Sequence, residues 1–165
     1  MAPNPTTVDR CSHGVLYVVV GLATLWFGFH IFNDALEVRF LKNYLLQWEV
    51  SLSAFQAQQG RWPVFSGGNH VAYMDELVTR IAREGIALPT AHGGGGYRYC
   101  ISKLGQADER IFVLVLHDRL ILYGISEKTL ERLDRLVDGR IDFTRGRVSG
   151  SAARNRETFI GQWQL

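Results

Sequence analysis

The chain has 165 residues, with 18 Lys and Arg against 16 Asp and Glu, a net charge of +2. That near-balance excludes a polybasic or polyacidic protein, and charge alone names no partner. Two cysteines, Cys11 and Cys100, exclude a disulfide scaffold and a Cys-Cys metal spacing, and the length suits one anchor plus one small domain.

Residues 1–13 read as a short leader or cytoplasmic tail. Gly14–Phe32 (GVLYVVVGLATLWFGFHIF) is an apolar run without Asp, Glu, Lys or Arg. About nineteen helical residues at 1.5 Å each reach roughly 28 Å, enough to cross a hydrocarbon core. Gly21 and Gly28 form a small-residue stripe suited to close helix packing. The flank Asn33-Asp34-Ala35 makes a poor small-x-small signal-peptidase site, and Cys11 precedes the run, so it is not a lipoprotein cysteine. If the run spans, Cys11 and Cys100 lie on opposite sides of the membrane. Arg10 before the run and Arg39 and Lys42 after it do not set an orientation.

Residues 33–60 predict an amphipathic continuation of the same helix. Val38, Leu41, Leu45, Trp48, Leu52 and Phe55 recur at spacings of 3 and 4 and share one face. Gly60 suits the helix end and Pro63 a stop. The stripe is the face on which a sheet would lie.

Residues 61–165 predict an α+β head. A helix over Val71–Glu84 turns Met74, Leu77, Val78 and Ile81 to one side, and Gly85 ends it. Gly93–Gly96 read as a loop, since no Gly-Lys-Ser/Thr follows them. Tyr97, Tyr99 and Ile101 alternate as a strand. Glu109–His117 is a buried strand, Asp118-Arg119 a turn, and Leu120–Ile125 its hairpin partner. Ser126 caps a helix over Glu127–Val137, with Leu130, Leu133, Leu136 and Val137 inward and Gly139 after its end. Ile141, Phe143 and Val148 suggest short strands. Phe159, Ile160 and Trp163 would pack the tail on the sheet.

No catalytic spacing is present: no His-Glu-x-x-His, no Gly-x-Ser-x-Gly and no His pair at i, i+4. Cys100, in a strand where it alternates with large aromatics, reads as a buried structural thiol. Asp138 and Asp142 lack the dense carboxylate cluster of a calcium loop, and no cofactor is expected. Arg132, Arg135, Arg140, Arg145, Arg147, Arg154 and Arg156 are interleaved with Glu127, Glu131, Asp134, Asp138, Asp142 and Glu157. That interleaving reads as a salt-bridged face and argues against nucleic-acid binding.

Three segments resemble type IV pilins and, more closely, type II secretion pseudopilins. Ser53–Pro63 (SAFQAQQGRWP) is similar to the end of the family's long helix. Tyr97-Arg98-Tyr99 resembles the start of the first head strand. Leu133–Gly150 (LDRLVDGRIDFTRGRVSG) resembles the family's Asp-Gly … Gly-Arg-Val-x-Gly ending. The resemblance implies a long helix, half in the membrane, packed on a small antiparallel sheet. It implies a non-enzymatic subunit of a type II secretion or type IV pilus assembly in the bacterial inner membrane, with a periplasmic or extracellular head. Its partners would be other pilin-like subunits and the inner-membrane assembly platform. Leader cleavage would fall between Gly14 and Val15. Lateral packing would use Gly21, Gly28 and the Val/Leu face of the span, while the helix-packing residues Leu41, Leu45, Trp48, Leu52 and Phe55 would carry the head. The chain departs from the family at Val19, where the fifth mature residue is usually Glu, and Gly93–Gly96 replace a common Trp-Gly pair. The alternative is a membrane-tethered periplasmic binding or sensory domain that enters no filament.

Overall fold

The computed structural model describes residues 5–58, 61–65, 67–90, 96–154 and 157–165, with side chains from residue 13 onward. The chain divides into two compact units, Met1–Ala35 and Leu36–Leu165. Helix α1 covers Pro5–Phe40, a π-helical turn follows at Leu41–Leu45, and α2 covers Leu46–Ala57. The expected end at Gly60 lies outside the described residues. Then come α3 (His70–Arg83), β1 (Arg98–Ile101), β2 (Glu109–Val115), β3 (Arg119–Ile125), α4 (Glu127–Asp138), β4 (Val148–Ala152) and β5 (Phe159–Gln164). The class is α+β, the arrangement that the pilin resemblance implies.

The 5-stranded sheet has the order β1-β2-β3-β5-β4, with every neighbouring pair antiparallel. Strand alternation decides its faces. Val113 pairs with Leu122, Val115 with Leu120, Leu120 with Trp163 and Trp163 with Val148. All of these are buried and form one apolar face. The long helix lies on it: Phe40 and Tyr44 pack against the Tyr99 ring with centroids 4.8 and 4.7 Å away. Helix α4 covers the same face further along. Gly150 and Gly161, paired across β4 and β5, both lie beneath Leu130, and a Cβ on Gly150 would enter the space of Leu130 Cδ2.

The stripe Leu41, Leu45, Trp48, Leu52 and Phe55 is buried as expected, but Val38 is only half-buried. Phe40, Tyr44 and Glu37 are buried instead. The reason is the π turn, closed by the Leu46 N–H on the Leu41 carbonyl. Its wider turn lets Phe40 and Tyr44 share the inward face with Leu41 and Leu45.

Helix α3 buries Tyr73, Met74, Leu77 and Ile81, while Val78 is half-buried. Asn69 Oδ1 caps it by accepting from the Ala72 N–H at 3.0 Å. In α4, Ser126 caps the start as expected and Gly139 ends the helix in the left-handed conformation. Leu136 is 46% exposed, contrary to expectation, and Leu130 and Leu133 carry the contact. Leu136 sits three residues after Leu133, at the rim of an apolar face that α4 presents to only two short strands.

Three further expectations are corrected. Tyr97 precedes β1 as a turn residue. Ile141 is exposed and Phe143 half-buried in the loop before β4, so only Val148 enters a strand. The tail does not merely cover the sheet: as β5 it is the strand between β3 and β4.

Candidate functional site

Among the described residues, one helix is long and apolar enough to cross a membrane, and it runs from His13 to Ala57. Its apolar residues from Val15 to Phe32 are exposed, Val15 by 64% and Phe32 by 48%. A contiguous exposed apolar surface of this kind marks a membrane or protein contact. Local chemistry suits a dry environment. Thr24 Oγ1 donates to the Val20 carbonyl at 2.8 Å, which satisfies the hydroxyl inside its own helix. Trp26 packs edge-on against His30 at 4.4 Å. The sites above Gly21 and Gly28 are open, with nothing within 4 Å of where a Cβ would stand at either. Gly14 is open in the same way, and Val15 is exposed.

A polar cluster lies at the Leu36 end of the second unit. Lys103 Nζ is 2.6 Å from Glu37 Oε1 and 2.6 Å from Glu109 Oε1. It also donates to Thr129 Oγ1 at 2.6 Å. The two Glu109 oxygens accept from the start of α4: Oε1 from Ser126 Oγ at 2.7 Å and Oε2 from the Ser126 N–H at 3.2 Å. Arg132 Nε stands 3.7 Å from Glu37 Oε2. Four elements therefore meet in one network: the long helix, the segment after β1, the start of β2 and the start of α4. Burial works against the Lys103 charge, but its bonds to Glu109 and Glu37 outweigh that and raise its pKa. Burial likewise disfavours the Glu109 carboxylate, and the bonds from Lys103 and Ser126 reverse this and lower its pKa. The helical spacing held a signal for Glu37. It precedes Leu41 by one turn, so the buried stripe passes through it.

A second polar group organises the loop from α4 to β4. Asp134 is fully buried, and its Oδ2 accepts the Asp142 N–H at 2.6 Å. Asp138 Oδ1 accepts from the Arg147 N–H at 3.1 Å and Oδ2 from the Val148 N–H at 2.9 Å. Asp142 Oδ1 accepts from Thr144 Oγ1 at 2.6 Å. The Asp138 and Asp142 carboxylates thus bind their own backbone. Among the described residues no group of three or more His, Cys, Asp or Glu is placed to hold a metal.

The remaining sequence candidates are dispersed. Cys100 is half-buried rather than buried, with Ser102 Oγ 3.8 Å from its sulfur. Its side alternates away from the Tyr99 face, which explains the exposure. Arg132 and Arg147 are drawn into ion pairs with Glu37 and Glu49. Arg135, Arg140, Arg145 and Arg154 lie on the surface, and Arg156 is outside the described residues. The side chain of Cys11 is outside them too. The chain matches no family model, no curated protein and no solved structure.

Proposed function

We propose that this protein is a single-pass membrane subunit of a type II secretion or type IV pilus assembly, acting by lateral helix packing and head contacts. One observation carries the reading: one helix exposes its apolar side chains up to Phe32 and buries Phe40, Leu41, Tyr44, Leu45 and Trp48 in an α+β core. Lipid is the solvent that suits the first part, and a head domain surrounds the second. In this reading the apolar segment sits in the bacterial inner membrane and the head lies in the periplasm or outside the cell. Gly21 and Gly28 admit a neighbouring helix, and the other pilin-like subunits and the assembly platform are the partners.

Val19 supports a second reading. A Glu at that position would pair with a neighbouring subunit's N-terminal amine, and Val cannot. On that ground the alternative is a membrane-tethered binding or sensory domain outside any filament. Co-expression with a prepilin peptidase, membrane extraction and N-terminal sequencing separates the two. A mature chain starting at Val15 supports the filament subunit. An uncut chain in the membrane fraction supports the tethered domain, and a chain in the soluble fraction sinks both.

A further inference from the structure

Asp134 presents a buried atom without a partner. Its Oδ2 holds the Asp142 N–H, while Oδ1 is sealed from solvent and bonds to no donor. Asp138 follows four residues later on the same face of α4, and its carboxyl acts on Asp134. Both Asp138 oxygens are already occupied by backbone N–H groups of Arg147 and Val148. Two ionised carboxylates are acceptors only and cannot bond to each other, but one proton makes the pair a donor and an acceptor. An unpaired buried carboxylate oxygen carries a desolvation cost that the proton removes.

We propose that Asp134 and Asp138 share one proton in the folded protein, and that this proton latches the loop of residues 139–147 onto α4 as a pH-sensitive switch. The surroundings allow little else to neutralise Asp134. Helix α4 packs on β4 and β5, and neither strand carries an ionisable side chain. The charges acting on Asp134 are Asp138 from its own helix and Asp142 from the loop. Arg147 acts on Asp138, and Arg140 and Arg145 act on Asp142. Glu49 of α2 holds the Arg147 guanidinium at 2.8 Å.

The environment splits the pair in the sense the latch needs. Burial comes first in raising the pKa of Asp134, and the neighbouring Asp138 adds to it. For Asp138 burial opposes the charge, but the N–H groups of Val148 and Arg147 outweigh it and lower its pKa. The singly protonated pair therefore fills a window from below the ordinary aspartate range to above it, and its titration belongs to both groups. As pH rises through the raised pKa, Asp134 ionises against Asp138 and Asp142, and the loop loses its hold. With the loop closed, Gly146 is tightly apposed to the Asp138 carboxylate, and a Cβ there would collide with it. Release of the loop also withdraws the backbone that aims Arg147 at Glu49, so the switch reaches the long helix.

The test is amide hydrogen exchange of the full chain in detergent micelles across pH. In the natural chain the protection factors of Asp142 and Arg147 should fall as pH rises, about tenfold per pKa unit of coupling. Asp134→Asn supplies a permanent donor to Asp138 and a permanent acceptor for Asp142, so protection there should no longer depend on pH. The same fall in Asp134→Asn would overturn the proposal. A carboxyl-carbon NMR titration of the unmutated chain decides the matter if that variant fails to fold. Asp134 should titrate above the exposed aspartates, together with shifts at the Asp142 and Arg147 amides. Titration of Asp134 at the ordinary aspartate value, without those shifts, would also overturn it.

Discussion

Lys103 and Glu37, distant in the chain, meet at 2.6 Å in a site where both side chains are nearly sealed from water. The ammonium is shared with Glu109 and Thr129, so one cation ties the long helix to the sheet and to α4. Buried pairs of this kind add little net stability over apolar packing, but losing one partner strands the other. Lys103→Met should therefore destabilise the head by about 3–5 kcal/mol. Thermal unfolding followed by tryptophan fluorescence in micelles measures it. Lys103→Met combined with Glu37→Leu should recover part of the loss, and a double variant as unstable as the single would argue against a charge-stranding origin.

The same cluster dictates a pH response. The folded pKa of Glu109 is lowered, so its stabilising share is present above the unfolded value and disappears as pH falls through the folded one. The folded pKa of Lys103 is raised, so its share is present below the unfolded value and is lost as pH rises through the folded one. Stability should hold level between those limits and drop at both ends. In Lys103→Met the alkaline drop should shrink, and the remainder belongs to Tyr44, Tyr73, Tyr97 and Tyr99, whose pKa values burial raises. A melting-temperature series against pH reads both limbs.

Gly150→Ala should cost about 1–3 kcal/mol, because the new methyl group would overpack against Leu130. Leu130→Val together with Gly150→Ala should cost less than the sum of the two single changes. Additive costs in that cycle would mean that the two side chains do not meet.

Leu22→Arg places a charge within the apolar run, at a cost of about 2.5–3.5 kcal/mol for insertion near a bilayer centre. The variant should shift from the membrane fraction to the soluble or degraded pool, while Gln58→Arg, at an exposed site, should leave partitioning unchanged. Gly21→Leu should keep the chain in the membrane yet weaken lateral crosslinking, since close helix approach needs a small residue there.

The regular elements were legible because periodicity and end signals agreed. Ser126 and Gly139 bracket α4, and the alternation around Val113 and Leu122 marks a buried hairpin. What escaped was set by tertiary geometry. A π turn leaves no mark in a 3.6-residue pattern, so Phe40 and Tyr44 read as neighbours of the stripe when they belong to it. Leu136 lies about 120° around α4 from Leu130, at the edge of the face that meets the sheet. Glu37, Lys103 and Glu109 look like solvated charges in isolation, and only the fold brings them together. Asp134 sits in a run of alternating charges that suggests an ordinary surface, and its burial follows from the loop that folds back over it.

The strand order carries a consequence for how the head is made on the ribosome. The β1-β2-β3 meander can assemble as it emerges, each strand finding its neighbour at once. β4 emerges next, yet its sheet neighbour is β5, which follows it. Until residues 159–164 leave the exit tunnel, Val148 and Gly150 have no strand to join, and Leu130 has no floor of paired glycines to rest on. Closure of this half of the head thus waits for β5, which follows both α4 and β4 in the chain.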